Sequence, residues 1–492
     1  MATTTHHLPG GSRAYLRPEH LAYAAFAAAM ILSGLLVALP FPYHILPFAL
    51  LGVVVFVIGT LRYPYFGLYL YLIIFFMDPN QIFPFMQTVA FPYEKVLAFA
   101  VIGILLIHIA ILKKEFDLYR LDVGFAAMIL ATYLSILGAV DLAAAWEDWQ
   151  RFLRLFLVYL VMVRIVKTEG QLKAIIMLFI ISIGFLAISS TIQYYRGEFE
   201  VRQGIQRLHS FGGGLIDPNT MASSLVLGVP FMFYMAKAHR SALLKLFMFA
   251  LIGSCFWAIM LTGSRGGMVG GIALMLLLVW HSRHKTLGFV VAFAVLVCIA
   301  AVMPDQYQNR FMSIFRINEQ DEFGASDSAR GRINGFKLGF KFLLKNPLTG
   351  VGISNFGWHH HLEPNGDWTD AHNLVGKLVG ELGLIGVAAF SFFIARFAGT
   401  LKLIKRLYDE HGWPPDFLFQ MRQAIKIGLI MLFVQGLFGH NLFRDNWYFT
   451  AGFIVIVSKI VWDRHLAAQR PSGATPGSPE PLPGAEKGLL PG

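Results

Sequence analysis

Cysteine is almost absent: Cys255 and Cys298 are the only two in 492 residues. Both sit inside apolar segments, which excludes a disulfide framework and a cysteine-based zinc site. Charge is scarce as well, at 14% of residues against 56% hydrophobic, far from the balance of a soluble domain, where about a quarter of residues are charged. Acids are the scarcer sign, 29 against 40 Lys and Arg for a net charge of +11. The basic residues are scattered in short loops between apolar runs, a distribution that orients a membrane protein and speaks against nucleic-acid binding. No repeat of fixed period runs through the chain, which leaves a repeat-built transporter without support. The first long apolar run lacks a small-residue cleavage site after it, so the N-terminus with Arg13 and Arg17 reads as an uncleaved signal anchor.

What fills the chain instead is apolar sequence. Leu21–Leu39, Val96–Leu112, Leu243–Leu261 and Gly288–Met303 each approach the roughly 20 apolar residues that cross a bilayer as helix. Placing basic loops on the cytoplasmic side adds Ile45–Leu61, a short Tyr65–Met77, Leu121–Val140, Phe152–Val166, Leu172–Tyr195, Pro218–Met235, Met268–Trp280, Leu374–Ile394, Ile425–Phe438 and Tyr448–Trp462. The expectation is an all-α polytopic integral membrane bundle of about twelve to fourteen spans, held in the membrane by its lipids, with both termini inside. Its plan is a cytoplasmic segment (1–19), a first part of the bundle (20–303), a large external loop (304–371), a last part (372–466) and a tail (467–492) too rich in Pro and Gly to bury a core. Trp146, Glu147, Asp148 and Trp149 are expected at an external corner, before the span that starts at Phe152.

Two external segments are more basic than the sign rule favours: Arg196–Arg207, with Arg202 inside it, and the large loop with Arg310, Arg316, Arg330 and Arg332. Long loops cross regardless of charge, which accounts for the second but not for the shorter first. Arginine forks near the outer face suit phosphate oxygens. Thr262-Gly263-Ser264-Arg265-Gly266-Gly267 adds Arg265 at a helix junction, where glycines let backbone approach a ligand; a connecting turn with a snorkelling arginine is the alternative. Asp217 and Pro218 are helix-start residues, while Asn219 either donates to phosphate or sugar or caps a neighbouring helix.

Ser328–Lys345 alternates apolar and basic residues at helical spacing and predicts an amphipathic helix within the large loop. Arg330 and Arg332 at its start are candidates for phosphate contact. The run His359-His360-His361 looks like a metal cluster, yet adjacent residues rarely converge on one ion, and no metal is expected there. His372 follows Asp370 at the predicted start of a helix, whose N-terminus favours the neutral ring and so a general base; a solvated loop histidine is the alternative. Glu381, about two and a half turns further on, lies where an ionisable group is costly and is therefore paired or functional. It either contacts substrate or ties helices together where Gly380, Gly383 and Gly386 allow close packing.

These pieces in this order resemble a known family. Arg207 with Gly212, Asp217-Pro218-Asn219-Thr220-Met221-Ala222, Ser264-Arg265-Gly266-Gly267, Pro347-Leu348-Thr349-Gly350-Val351-Gly352, and His372-Asn373 followed by Glu381-Leu382-Gly383-Leu384-Ile385-Gly386 are similar to the bacterial O-antigen ligases and their Wzy-type polymerase relatives. With Ala145-Trp146-Glu147, Met303-Pro304 and Ser328-Ala329-Arg330-Gly331-Arg332-Ile333, the chain looks closest to the O-glycosylation ligases associated with exosortase systems. The resemblance implies a GT-C-like membrane glycosyltransferase that needs no metal or cofactor, in the bacterial inner membrane with its site facing the periplasm. It implies an undecaprenyl-diphosphate-linked glycan as donor, with Arg207, Arg265 and His372 as the essential residues and Asn219, Asn373, Glu381, Arg330 and Arg332 as candidate substrate contacts. The acceptor hydroxyl stays open among lipid A core, a growing glycan and protein. A lipid-linked glycan transporter is the reading of another class. The expected span count exceeds that usual for the ligases, which keeps ligase and polymerase both in play.

Overall fold

The computed structural model describes residues 46–77, 118–210, 217–282, 284–313, 325–363 and 366–469, with a few isolated helical positions before residue 104. The expected spans Leu21–Leu39 and Val96–Leu112, Gly212, Arg316 and the tail beyond 469 lie wholly or largely outside them. The elements in order are α1 (Leu46–Arg62), α2 (Pro64–Met77), α3 (Arg120–Ser135, extended by a 3₁₀ turn to Gly138), α4 (Leu142–Ile165), α5 (Glu169–Tyr195), β1 (Glu200–Arg202), β2 (Ile205–Arg207), α6 (Pro218–Ala238), α7 (Ala242–Leu261), α8 (Arg265–Trp280), α9 (Lys285–Val302), α10 (Asp305–Met312), α11 (Ala325–Lys345), α12 (Phe356–His361), α13 (Leu374–His411), α14 (Phe417–Gly436) and α15 (Asp445–Ala468).

The chain divides into two compact units, residues 1–67 and 68–492. In the first, α1 is apolar throughout and its Thr60 hydroxyl donates to the Phe56 carbonyl (2.6 Å), which keeps that hydroxyl satisfied in apolar surroundings. The second unit is a helical membrane bundle. Among the described residues seven helices are long and apolar enough to cross a membrane: α3 with its 3₁₀ turn, α5, α6, α7, α9, α13 and α14. Shorter apolar helices include α2 and α8, while α4 and α15, at 24 residues each, are as long but carry more charge. Within the bundle α13 packs on α3 and α11, and α6 packs on α7 and α14.

Helix ends are set by local chemistry. Asp141, Thr168, Asp217, Ser241, Ser264, Asn373 and Asp416 each accept a backbone N–H in the first turn of the helix they open. Three boundaries differ from the expectation. The corner at Trp146–Trp149 is helical, because Asp141 caps α4 ten residues earlier than apolarity alone indicates, and the two indoles stack with centroids 5.0 Å apart. Helix α13 runs past Ile394 to His411, its charged end tied by the i,i+4 pairs Lys405–Asp409 and Arg406–Glu410, until Gly412 stops it in the left-handed region. Helix α14 begins at Phe417 rather than Ile425, on the Asp416 cap. The all-α frame carries one small exception, the hairpin β1–β2, which turns through Gln203 (φ +55°) and Gly204 (φ +74°).

The 38-residue α13 is broken at Gly383, whose φ of 60° and ψ of −159° leave helical space. The segment Pro347–Gly352 fills the break from both sides. Val351 and Gly352 donate N–H to the carbonyls of Gly380 (2.8 Å) and Glu381 (3.1 Å), and Leu384 and Ile385 donate to the carbonyls of Pro347 (2.8 Å) and Leu348 (3.1 Å). A break inside an apolar helix is tolerable only if such groups find protein partners, so the Pro-Leu-Thr-Gly-Val-Gly motif has a structural explanation. Above the break, α11 lies against the first half of α13 with backbone nearly touching: a Cβ at Gly335 would meet the Ala371 carbonyl oxygen at 1.8 Å, and one at Gly339 the Gly376 oxygen at 2.4 Å. The predicted amphipathic helix is thus α11, and it clamps the segment that carries His372.

Candidate active site

Four helix N-termini and the C-terminal end of α14 open onto one small cavity of about 90 Å³. The start of α6 contributes Asp217, Asn219 and Thr220; the start of α8 contributes Ser264, Gly266 and Gly267; the residue before the α13 cap contributes His372; and the turn before α15 contributes His440, Asn441 and Arg444. Each helix N-terminus carries roughly half a positive charge and outward-facing N–H groups and so favours an anion, while the end of α14, through Gln435, Phe438 and Gly439, opposes them with the opposite partial charge.

Arg207, at the end of β2, is buried at 2% exposure. Its Nε donates to the Thr262 carbonyl (2.7 Å) and its Nη2 to Asn219 Oδ1 (3.1 Å). Asn219 in turn donates through its side chain to Asp217 (3.3 Å), so Arg207, Asn219 and Asp217 form one chain of contacts. Burial lowers the Arg207 pKa and the nearby Asp217 opposes this. Arg310, also buried, donates from Nε to the Gly263 carbonyl (2.7 Å) and from Nη2 to Gln203 (2.8 Å). It thereby pins the hairpin turn to the residue pair that precedes Arg265. Arg265 is the first residue of α8 and donates to Ser313 Oγ (3.2 Å).

His372 has φ +51°, an unusual conformation for a residue other than glycine, and such outliers cluster at functional sites. A Cβ built on Gly331 lies 3.9 Å from its ring, so the start of α11 walls it on one side. His440 walls another, with ring centroids 5.9 Å apart. Burial lowers the His372 pKa, assisted by Arg332 and Lys377 and opposed by Asp370 and Asp217. Burial likewise pushes His440 down to about 4, against the pull of Asp370. Asp370 is the reverse case: burial would raise its carboxyl, but Lys377, His440 and its hydrogen bonds hold it well below the usual range. At neutral pH both imidazoles are neutral beside an ionised carboxylate.

The remaining sequence candidates sort by position. Arg332 donates to the Phe438 carbonyl (3.3 Å) with its guanidinium 5.7 Å from that ring, and Arg265 is close enough to lower its pKa after burial has done so. Asn373 caps α13 (2.6 Å to Gly376 N) and donates to the carbonyls of Arg332 (3.0 Å) and Ala371 (2.9 Å), so its amide is spent on holding the loop in place. Arg330 is exposed and lines neither this cavity nor the larger one beside it. Glu381 lines neither as well: fully buried below Lys377 (3.4 Å), it accepts from the Phe356 backbone N–H (3.3 Å), two residues before the break at Gly383. The histidine run forms α12, where His359 faces the Gly138 carbonyl (3.2 Å), His360 meets Thr369 (2.7 Å) and His361 stacks on Trp368 (4.3 Å). Among the described residues no three His, Cys, Asp or Glu side chains are grouped to hold a metal.

Sequence reasoning missed His440, Arg444 and Lys377. Lys377 sits inside an apolar run and pairs with Asp370 (2.6 Å). His440 and Arg444 lie in the short connection between the last two spans, and the available signal was a histidine and an arginine within so short an external connection. The two join the small cavity to a larger one of about 570 Å³ that adjoins Asp370 and Lys377.

Residues 248–391 match the family model described as O-antigen ligase. The match includes Arg265 and His372 but not Arg207, Asn219, His440 or Arg444, which the fold supplies from outside it. No curated protein matches the chain.

Proposed function

From the premise that this multi-pass membrane chain carries an O-antigen ligase domain and so has a glycosyl-transfer role, we propose that it moves a glycan from an undecaprenyl-diphosphate-linked donor to an acceptor hydroxyl on the periplasmic side of the bacterial inner membrane. The observation that carries the reading is the convergence of four helix N-termini with Asn219 and His372 on one cavity, and the buried Arg207 held against Asn219 behind its wall. The donor diphosphate lies at the starts of α6 and α8, against Arg207 and Arg265. As the bond from sugar C1 to the diphosphate oxygen breaks, its electron pair stays on the undecaprenyl diphosphate. Preorganised donors aimed at that charge contribute on the order of a few kcal/mol to the transition state.

The acceptor hydroxyl attacks C1 from the opposite side, which inverts the anomeric carbon, and its proton passes to neutral His372, a contribution of roughly 10²- to 10⁴-fold in rate. No metal enters these steps. Arg332 stands beside Arg265 and adds positive potential, while Arg330 is left to solvent. The transporter reading is less favoured, because the cavity at the other end of the bundle, lined by Arg120, Arg396 and Arg406, shares no lining residue with the two at this end. Whether the acceptor is a ligase's, a polymerase's or a protein's separates in a deletion strain: unattached polymer, single repeats or unglycosylated protein accumulate respectively. The assignment of residues is tested by Arg265→Ala and His372→Ala, each expected to give normally inserted protein without glycan transfer. Transfer retained in both sinks it.

A further inference from the structure

The cavity at the far end of the bundle, of about 600 Å³, lies within the roughly 300–1,000 Å³ of ordinary ligand sites and takes no part in the transfer chemistry. Helices α3, α13 and α15 enclose it, with Arg120, Arg396, Arg406, Trp462 and His465 in its lining. Arg396 is 22 positions beyond Leu374 by the difference of their numbers. At 1.5 Å per residue that is a rise of roughly 33 Å, close to the roughly 30 Å of a bilayer's hydrocarbon core. The cavity therefore sits at the membrane surface opposite His372, and Trp462 in its wall is a residue type that concentrates at such boundaries.

Its charge is one-sided. Among the described residues Glu410 is the single carboxylate in the lining, and Arg406 holds it (2.6 Å). The guanidinium groups of Arg120 and Arg396 have no carboxylate or hydrogen-bond partner among the described residues. The two are neighbours across the α3–α13 contact: Gly124, one turn from Arg120, packs on the Arg396 stem, where a Cβ at Gly124 would lie 3.6 Å from Arg396 Cγ. The Arg396 guanidinium stands over the Phe392 ring, 4.6 Å from its centroid. Such stacking uses the face of the fork and leaves its in-plane N–H groups for a phosphate. The floor between them is open, since nothing lies within 4 Å of a Cβ built on Gly399. On α3, Val123 and Leu130 follow on the same side as Arg120, and both are exposed. An apolar lane thus runs from the basic corner into the membrane, which suits the acyl chains of a lipid and does nothing for a free phosphate.

We propose that this cavity binds the phosphate of an anionic membrane phospholipid between Arg120 and Arg396, with the acyl chains lying along α3. In the orientation proposed above it is a lipid of the cytoplasmic leaflet, where basic pockets between membrane helices hold anionic head groups. The site lies apart from the glycan chemistry, and its test needs no transfer assay. Full-length protein in detergent is titrated with phosphatidylglycerol, phosphatidylethanolamine or inorganic phosphate, and bound lipid is counted by native mass spectrometry. Wild type is expected to bind one phosphatidylglycerol at least about tenfold more tightly than phosphatidylethanolamine. Arg120→Gln combined with Arg396→Gln is expected to remove that preference. Gly399→Phe, which plugs the cavity and keeps both arginines, is expected to weaken phosphatidylglycerol binding to a similar extent. Unfolding at the wild-type temperature qualifies each variant as folded, and Arg120→Gln alone, at an exposed position, gives a partial loss should the double variant unfold.

Equal binding of the two lipids, or a preference unchanged by the arginine substitutions, overturns the site. A preference that survives Gly399→Phe overturns it too, since it then belongs to the charge of the surface and not to the cavity. Tighter binding of inorganic phosphate than of phosphatidylglycerol, both through Arg396, assigns the corner to a free anion and overturns the lipid.

Discussion

Replacing Gly383 by alanine tests the break in α13 directly. The backbone there, φ 60° and ψ −159°, belongs to a region that is essentially glycine's own, and forcing a side chain into it costs about 1–3 kcal/mol. The new Cβ would also lie 2.5 Å from the Leu348 carbonyl oxygen and 2.6 Å from the Gly350 nitrogen. Both are backbone, so the Pro347–Gly352 segment must move. That segment makes the four hydrogen bonds across the break, and losing two of them at about 1 kcal/mol each adds about 2 kcal/mol. The sum is about 3–5 kcal/mol of destabilisation. Gly399→Ala on the same helix is the control: nothing lies within 4 Å of its Cβ position, and a helical glycine gains about 0.5–1 kcal/mol on becoming alanine. Thermal unfolding of the purified full-length protein in detergent should show Gly383→Ala melting well below wild type and Gly399→Ala at or above it. Coincident melting of Gly383→Ala and wild type would mean that the break is dispensable and the hydrogen-bond argument wrong.

Other perturbations have defined outcomes. Because the His372 pKa is depressed, its base form persists at and above the ordinary histidine value of about 6.5, so transfer should be flat through neutral pH and fall only as pH drops below that value. Asp370 is among the groups that raise the His372 pKa, and Asp370→Asn should move the acid limb of the pH–rate profile to still lower pH; a shift to higher pH contradicts the electrostatics. Arg310→Ala removes a buried cation together with its hydrogen bonds to Gly263 and Gln203, each worth about 1.5–3 kcal/mol, and should lower the unfolding temperature and loosen the hairpin, read as faster hydrogen exchange at Gln203 and Gly204. His360→Ala removes a ring contact to Thr369 near the surface and should leave transfer within about twofold of wild type, in line with substitutions away from the site.

The membrane architecture was legible because its signal is local: apolar length and capping residues such as Asp217, Ser264 and Asn373 are written in consecutive positions. Helix α4 was cut short when read from hydropathy alone because Glu147, Asp148 and Arg151 look like a loop, whereas a cavity inside a bundle accepts charge on a helix. Arg207, Arg265 and His372 were singled out by chemistry and resemblance. Their partners, Asn219 excepted, were not, because partnership is a long-range property: Arg310 reaches back to Gly263, and His440 comes to His372 from 68 positions away by the difference of their numbers. Glu381 was ambiguous in sequence for the same reason, since only the fold shows the Phe356 N–H that meets it.

The interruption at Gly383 also separates the helical phase of two regions. In a continuous helix each inserted or deleted residue rotates everything beyond it by about 100°, so a change near His372 would turn the face that α13 packs on α3. With the ladder cut and the cut sealed by Pro347–Gly352, the nine residues Leu374–Leu382 can change length or rotate while Leu384–His411 keeps its facing. The stretch that presents His372 is thereby free to drift in sequence as one cassette with α11 and its loop, on a transmembrane scaffold whose register does not have to follow.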